Sequence, residues 1–151
     1  MKNRRIDMVS YFRQMQVKFS RLYTQILNDS DLTLPQYTLL GEIAASGPIP
    51  MTEASCKLHI SKPAVTHLVD RLEKKKMLKR QAHPQDRRVD LLQITPLGKK
   101  GVLNTQSKVL SYLLNTLKRF DAQDQKTILL FYSMLSSALD QALNSRKQKC
   151  A

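Results

Sequence analysis

With 151 residues, 42% of them hydrophobic, the chain is long enough for one domain with a true core, or one small domain plus an oligomerisation arm. Its 25 Lys and Arg against 12 Asp and Glu give a net charge of +13 and a pI near 10.0, an excess that suits a polyanionic partner, nucleic acid before an anionic membrane surface. Two cysteines, Cys56 and Cys150, exclude a disulfide framework, lack zinc-site spacing and fit a reducing cytoplasm, and no stretch has the apolar length of a signal peptide or a membrane span.

The first predicted helix covers residues 6–27, where Ile6, Val9, Phe12, Phe19, Leu22 and Ile26 form one apolar stripe and Asn28, Asp29 and Ser30 break it. That stripe exceeds what one neighbour needs, so packing on a second subunit is expected. Thr33-Leu34-Pro35-Gln36 has the form of a capping box for a second helix reaching Ala45, with Tyr37, Leu40 and Ile43 as its buried face, flanked by Leu39 and Ala44, and Ser46-Gly47-Pro48 as its stop. Ile49-Pro50 reads as a short extended link able to pair with a later strand. Thr52 is expected to cap a third helix through Leu58, with Ala54 and Leu58 facing inward, and His59-Ile60 to form the turn. Ser61 caps a fourth helix and Pro63 sits in its first turn. Val65, Leu68, Val69 and Leu72 repeat on its apolar side, and Lys62, Thr66, His67, Arg71 and Lys74 occupy the other. Two helices across so tight a turn have the form of a helix-turn-helix, though an ordinary helical hairpin looks the same.

The next stretch separates these two forms. Residues 77–82 alternate apolar and charged, His83 to Arg88 is a turn-rich basic tip, and residues 89–94 form a second strand ending at Thr95. A hairpin with arginines at its tip, directly after such a helix, is a wing. It brings Arg87 or Arg88 within reach of a minor groove while the helix occupies the major groove. From Lys57 to Arg88 there are ten Lys or Arg against three acids, so +7 of the +13 lies where the motif lies. A fifth helix over 96–119 carries Val102, Val109, Leu113, Leu117 and Phe120, widened by Leu110 and Leu114. Asp121 caps a last helix in which Ile128, Phe131, Leu135, Ala138 and Ala142 keep a helical rhythm.

Leu32-Thr33 with Gln36, Leu40 and Ile43, then Ser61, Val65-Thr66 and Val69-Asp70-Arg71-Leu72-Glu73, and above all Asp86-Arg87-Arg88 followed by Leu92, Ile94-Thr95 and Gly98, resemble the MarR family of winged-helix transcriptional regulators. The resemblance is close over residues 30–100. It implies a mainly α fold with a small antiparallel β wing (α+β). A winged helix-turn-helix DNA-binding domain at 31–98 would lie between an N-terminal helix, 1–30, and C-terminal helices, 99–151, which together form a dimerisation region. By the same resemblance Ser61, Lys62, Pro63, Ala64, Thr66, His67 and Arg71 face the groove. Asp86 would hold Arg88 by an ion pair, with Arg87 beside it, and Thr95 and Pro96 would open the fifth helix. Lys74, Lys75, Lys76, Lys79 and Arg80 are expected on phosphates. Two positions depart from the family: Lys76 stands where glycine is usual, and Ala54-Ser55 where Leu-Ala is usual.

The expected protein is therefore a cytoplasmic homodimer that binds double-stranded DNA at a pseudo-palindromic operator, with repression as the default outcome and activation by displacing another repressor as the alternative. The resemblance also implies an effector crevice among helices one, two and five. Tyr11, Met15, Tyr23 and Tyr37 are candidates for lining it, although aromatic residues at such spacing also serve as plain core. No cofactor is expected. His59, His67 and His83 have no nucleophile and aspartate placed as a triad needs, none of the four glycines are clustered, and pairs such as His83 with Asp86 or His59 with Cys56 are too small for a metal site, so neither an enzyme nor a metalloprotein is expected. Two other readings stay open: a winged-helix module that binds protein rather than DNA, and an oxidant sensor using Cys56, whose side chain is expected to be partly buried.

Overall fold

Thr33 and Gln36 show how local chemistry starts the winged domain. In the computed structural model, which describes residues 3–86 and 88–147 and side chains from 7 to 143, the Gln36 amide donates to Thr33 Oγ1 at 3.5 Å and the Thr33 amide to Gln36 Oε1 at 3.1 Å. Ile6, Arg87 and Cys150, named above, lie outside the described residues or side chains. The elements are α1 (Asn3–Asp29), α2 (Leu34–Ser46), β1 (Ile49–Pro50), α3 (Met51–Leu58), α4 (Lys62–Lys74), β2 (Leu78–Ala82), β3 (Asp90–Ile94), α5 (Pro96–Leu117) and α6 (Ala122–Lys147).

The capping box draws Gln36 into the core, so the inner face of α2 is Gln36, Leu39, Leu40 and Ile43, with Tyr37 half-buried and Ala44 exposed. Gly47, at φ +84, ends the helix and donates its amide to the Ile43 carbonyl. β1 then pairs antiparallel with β3, Ile49 opposite Leu92, and β3 pairs with β2 from Leu78↔Ile94 to Ala82↔Asp90, giving the order β1-β3-β2. The Thr52 cap is corrected: the extended Pro50 runs from the strand straight into α3 and occupies the N-cap position without a side-chain bond, which leaves Thr52 exposed inside the first turn. Ala54 is fully buried; Cys56, two residues or about 200° further round the helix, is exposed rather than partly buried. His59 adopts the left-handed conformation, φ 53, and turns the chain toward Ser61.

One core serves the helix-turn-helix and the wing. Leu39, Leu40 and Ile43 of α2, Val65, Val69 and Leu72 of α4, and Leu78, Leu92 and Ile94 of the sheet meet there, with Leu27 of α1 and Val102 of α5. The chain divides into two compact units, Met1–Val109 and Leu110–Ala151. In the first, only the last turns of α1 are covered: Ile26 and Leu27 are buried, whereas Val9 and Phe12 are exposed. In the second, Asp121 caps α6 by accepting the Asp124 amide at 2.8 Å. The expected apolar face there is largely open in the single chain: Leu110, Leu113 and Leu114 of α5 and Phe131, Leu135 and Leu139 of α6 are exposed. Among the described residues, no helix is long and apolar enough to cross a membrane.

Candidate nucleic-acid interface

Helix α4 is built from its cap. Ser61 Oγ accepts the Ala64 amide at 3.4 Å, Pro63 lies in the first turn, and Val65, Val69 and Leu72 are completely buried. A period of 3.6 residues then turns Lys62, Pro63, Thr66, His67, Arg71 and Lys74 outward, all exposed, with Ser61 exposed at the cap and Ala64 half-buried. The Thr66 hydroxyl donates to the Lys62 carbonyl at 3.0 Å, leaving its methyl and oxygen lone pairs for an outside partner. His67, Arg71 and Ala64 border a recess of about 490 Å³ against Pro35 and Ile60.

The exit of α4 passes through the left-handed region. Lys76 stands at φ 57, its amide donating to the Glu73 carbonyl and that of Met77 to the Leu72 carbonyl, the pattern of a left-handed helix terminus that favours glycine. Thr95 Oγ1 donates to the Lys76 carbonyl at 2.7 Å and accepts the Gly98 amide at 3.2 Å, so α5 is stapled to the start of the wing. Gly98 is required by close approach: a Cβ there would overlap the Met77 carbonyl oxygen and lie 2.8 Å from Ile94 Cγ1.

At the wing tip, Asp86 Oδ1 accepts the backbone amide of Arg88 at 3.0 Å, and the Val89 amide donates to the Asp86 carbonyl. This corrects the expected ion pair. A short carboxylate two residues upstream in a turn reaches the amide, and among the described residues no ion pair joins Asp86 to the Arg88 guanidinium, which is exposed. Arg87 falls outside the described residues.

The cations expected on phosphates divide into two groups. Lys74, Lys76 and Lys79 are exposed, with no ion pair among the described residues. Lys75 is paired with Asp31 at 3.1 Å, and the Arg80 guanidinium meets Asp70 at 2.7 Å and Glu73, so its charge is compensated inside the protein. The hydrogen bond to Asp70 pushes the Arg80 guanidinium above its ordinary value against the opposing effect of burial, and the charges of Glu73, Asp70 and Asp90 add to it. Asp70 and Glu73 lie three apart on one helix face, a signal for a shared cationic partner that the sequence reading passed over.

The effector candidates are brought together only in part. Tyr23 and Tyr37 have ring centroids 6.1 Å apart, and Tyr23 lines a recess of about 350 Å³ with Phe19, Leu27 and Leu32. Burial, with Tyr23 adjacent, raises the Tyr37 hydroxyl above its ordinary value, opposed by a hydrogen bond with Gln106. Tyr11 and Met15 do not join them: both are exposed, roughly 18 and 12 Å away from Tyr23 along α1 at 1.5 Å per residue. Among the described residues, no group of three His, Cys, Asp or Glu is placed to hold a metal ion.

Residues 32–89 match the model of the MarR family. The chain is 30% identical over 88 residues to the HTH-type transcriptional regulator YhbI of Bacillus subtilis, covering 58% of this chain and 57% of that protein. It is 33% identical over 81 residues to the multiple antibiotic resistance protein MarR of Salmonella typhimurium, covering 54% and 56%. This chain thus spans little more than half the length of either relative. Among solved structures it resembles a MarR family protein from Bacillus stearothermophilus, with a TM-score of 0.76 at 20% identity over 95% of this chain and 98% of that one. It also resembles a mutant of S. aureus MepR bound to an oligodeoxyribonucleotide, with a TM-score of 0.69 at 22% identity over 87% and 97%. The structural likenesses establish the winged-helix fold.

Proposed function

We propose that this chain is a transcriptional regulator of the MarR family that binds double-stranded DNA in sequence-specific fashion, a reading supported by the match of residues 32–89 to the family model and by the relatives named above. A regulator of this family is not an enzyme. The observation that carries the reading is the separation of charges around α4: Lys57, Lys75 and Arg80 are paired with acids, while Lys62, Arg71, Lys74, Lys76, Lys79 and Arg88 are all exposed on one helix, its exit and the wing. A module that docked another protein through an apolar surface would have no use for that distribution.

In the proposed complex Ser61, Lys62, Pro63, Ala64, Thr66, His67 and Arg71 enter the major groove, Arg88 the adjacent minor groove, and Lys74, Lys76 and Lys79 bind phosphates. The protein acts as a homodimer on a pseudo-palindromic site. The exposed Phe12 of α1 and Phe131 and Leu139 of α6 support this, because apolar surface left open on the single chain is covered at a subunit interface. Repression follows from occupying a promoter, and the recess lined by Phe19, Tyr23 and Leu32 is the place for a small-molecule effector. Selection of duplexes from a random pool, followed by a salt series, tests the reading. A two-fold motif is expected, with affinity falling by roughly 10³ between 50 and 200 mM salt for about six phosphate contacts. No enrichment, or binding indifferent to salt, overturns it.

A further inference from the structure

Arg80 uses three donors at once. Its NH2 donates to Asp70 Oδ1 at 2.7 Å, its NH1 to Glu73 Oε2, and its backbone amide to Glu73 Oε1 at 3.0 Å. Asp70 and Glu73 belong to the last turns of α4, and Arg80 is the third residue of β2, so one side chain spans the left-handed exit at Lys76 and ties the recognition helix to the wing. The side chains of Arg80 and Glu73 are only 30% and 29% exposed and Asp70 is 45% exposed, which shields the cluster from full solvent screening. A guanidinium with planar, divergent donors suits two carboxylates from different elements; an ammonium on a flexible stem does not.

We infer that Arg80 is a positioning residue for DNA binding, a brace that fixes the angle between α4 and the wing so that the helix and Arg88 meet adjacent grooves together. The inference rests on the DNA-binding reading above. A wing already held at its working angle loses less freedom on binding than one free to swing. The cluster also carries one guanidinium against two carboxylates, a net negative spot beside the proposed DNA face. Charge alone therefore requires that neutralising Glu73 strengthen DNA binding, whereas a brace requires that it weaken binding.

The opposed signs define the experiment. The full-length protein and the variants Glu73→Gln and Arg80→Lys are titrated with the duplex recovered by selection and with a random-sequence duplex of equal length across a salt series. Hydrogen exchange over residues 78–94 is followed without DNA. Both variants are expected to lose about tenfold in affinity for the selected duplex, the factor that corresponds to 1.4 kcal/mol, and little for the random one. The salt slope should stay unchanged and exchange in the wing should accelerate. Thermal unfolding confirms that each variant is folded. Binding by Glu73→Gln as tight as wild type or tighter, full affinity of Arg80→Lys, or unaltered exchange in the wing overturns the brace. If the wild type selects no duplex, the DNA reading fails by that result alone, while the exchange rates still decide whether Arg80 holds the wing.

Discussion

Asp86 holds Arg88 by its backbone, through an amide-to-carboxylate bond of 3.0 Å, and not by its charge. The turn is thereby set while the guanidinium stays available to a partner. Asp86→Asn keeps an acceptor in the same place and should bind the selected duplex almost as well as wild type. Asp86→Ala removes the acceptor and should bind roughly fivefold more weakly, the effect of about 1 kcal/mol lost from one hydrogen bond. Equal losses in the two variants, measured by fluorescence anisotropy, would assign the effect to charge instead.

Lys76 at φ 57 carries a strain that glycine would not. Lys76→Gly is expected to raise unfolding free energy by about 1 kcal/mol, seen as a higher urea midpoint at constant slope. If Lys76 also binds a phosphate, the same variant should bind DNA with a smaller salt dependence. A lower midpoint would mean that the lysine side chain supports the exit of α4 in a way its exposure does not suggest.

Gly98 has the opposite constraint. A methyl group there meets the Met77 carbonyl and the Ile94 side chain, so Gly98→Ala should cost on the order of 1–3 kcal/mol and lower the melting temperature by several degrees. Calorimetry checks this, and an unchanged melting temperature would show that α5 can shift away from the wing at little cost.

Arg71 and Lys74 are both exposed on α4 but are assigned different contacts in the proposed complex. Arg71→Ala should relax the selected motif at one or two positions, with a loss of about 1–3 kcal/mol on the preferred sequence. Lys74→Ala should weaken all duplexes alike and reduce the salt slope. Repeating the selection with each variant distinguishes them, and an unaltered motif for Arg71→Ala would move base reading to other residues.

Burial beside Tyr23 raises the Tyr37 hydroxyl above its ordinary value of 10.0. The folded state then holds this proton more tightly than the unfolded chain does. The contribution is intact below about pH 10 and is lost as pH rises through the folded value. Tyr37→Phe should flatten the alkaline fall of stability measured by urea unfolding between pH 9 and 11. An identical fall in wild type and variant would place the titrating group elsewhere.

Periodicity and cap chemistry act over a few residues, and what depends on them was legible in the chain alone. Thr33, Ser61 and Asp121 accept the amides their positions require, the buried face of α4 follows its apolar repeat, and β1 finds β3. Lys76, where the MarR family usually has glycine, has the left-handed backbone that favours glycine. Thr52 failed because a cap depends on where the preceding strand ends, and Tyr11 and Met15 part from Tyr23 and Tyr37 because the core covers only the last turns of α1. The pairing of Arg80 was not legible for a longer-range reason. Its charge is set by two carboxylates on another element, and only the angle at which β2 leaves α4 brings them within hydrogen-bonding distance. The sequence by itself thus determined the helices, the caps of α2, α4 and α6 and the excess of cations around the wing. Tertiary structure decided which of those cations are compensated and which face outward, because charge pairing depends on distances between elements that local sequence does not encode.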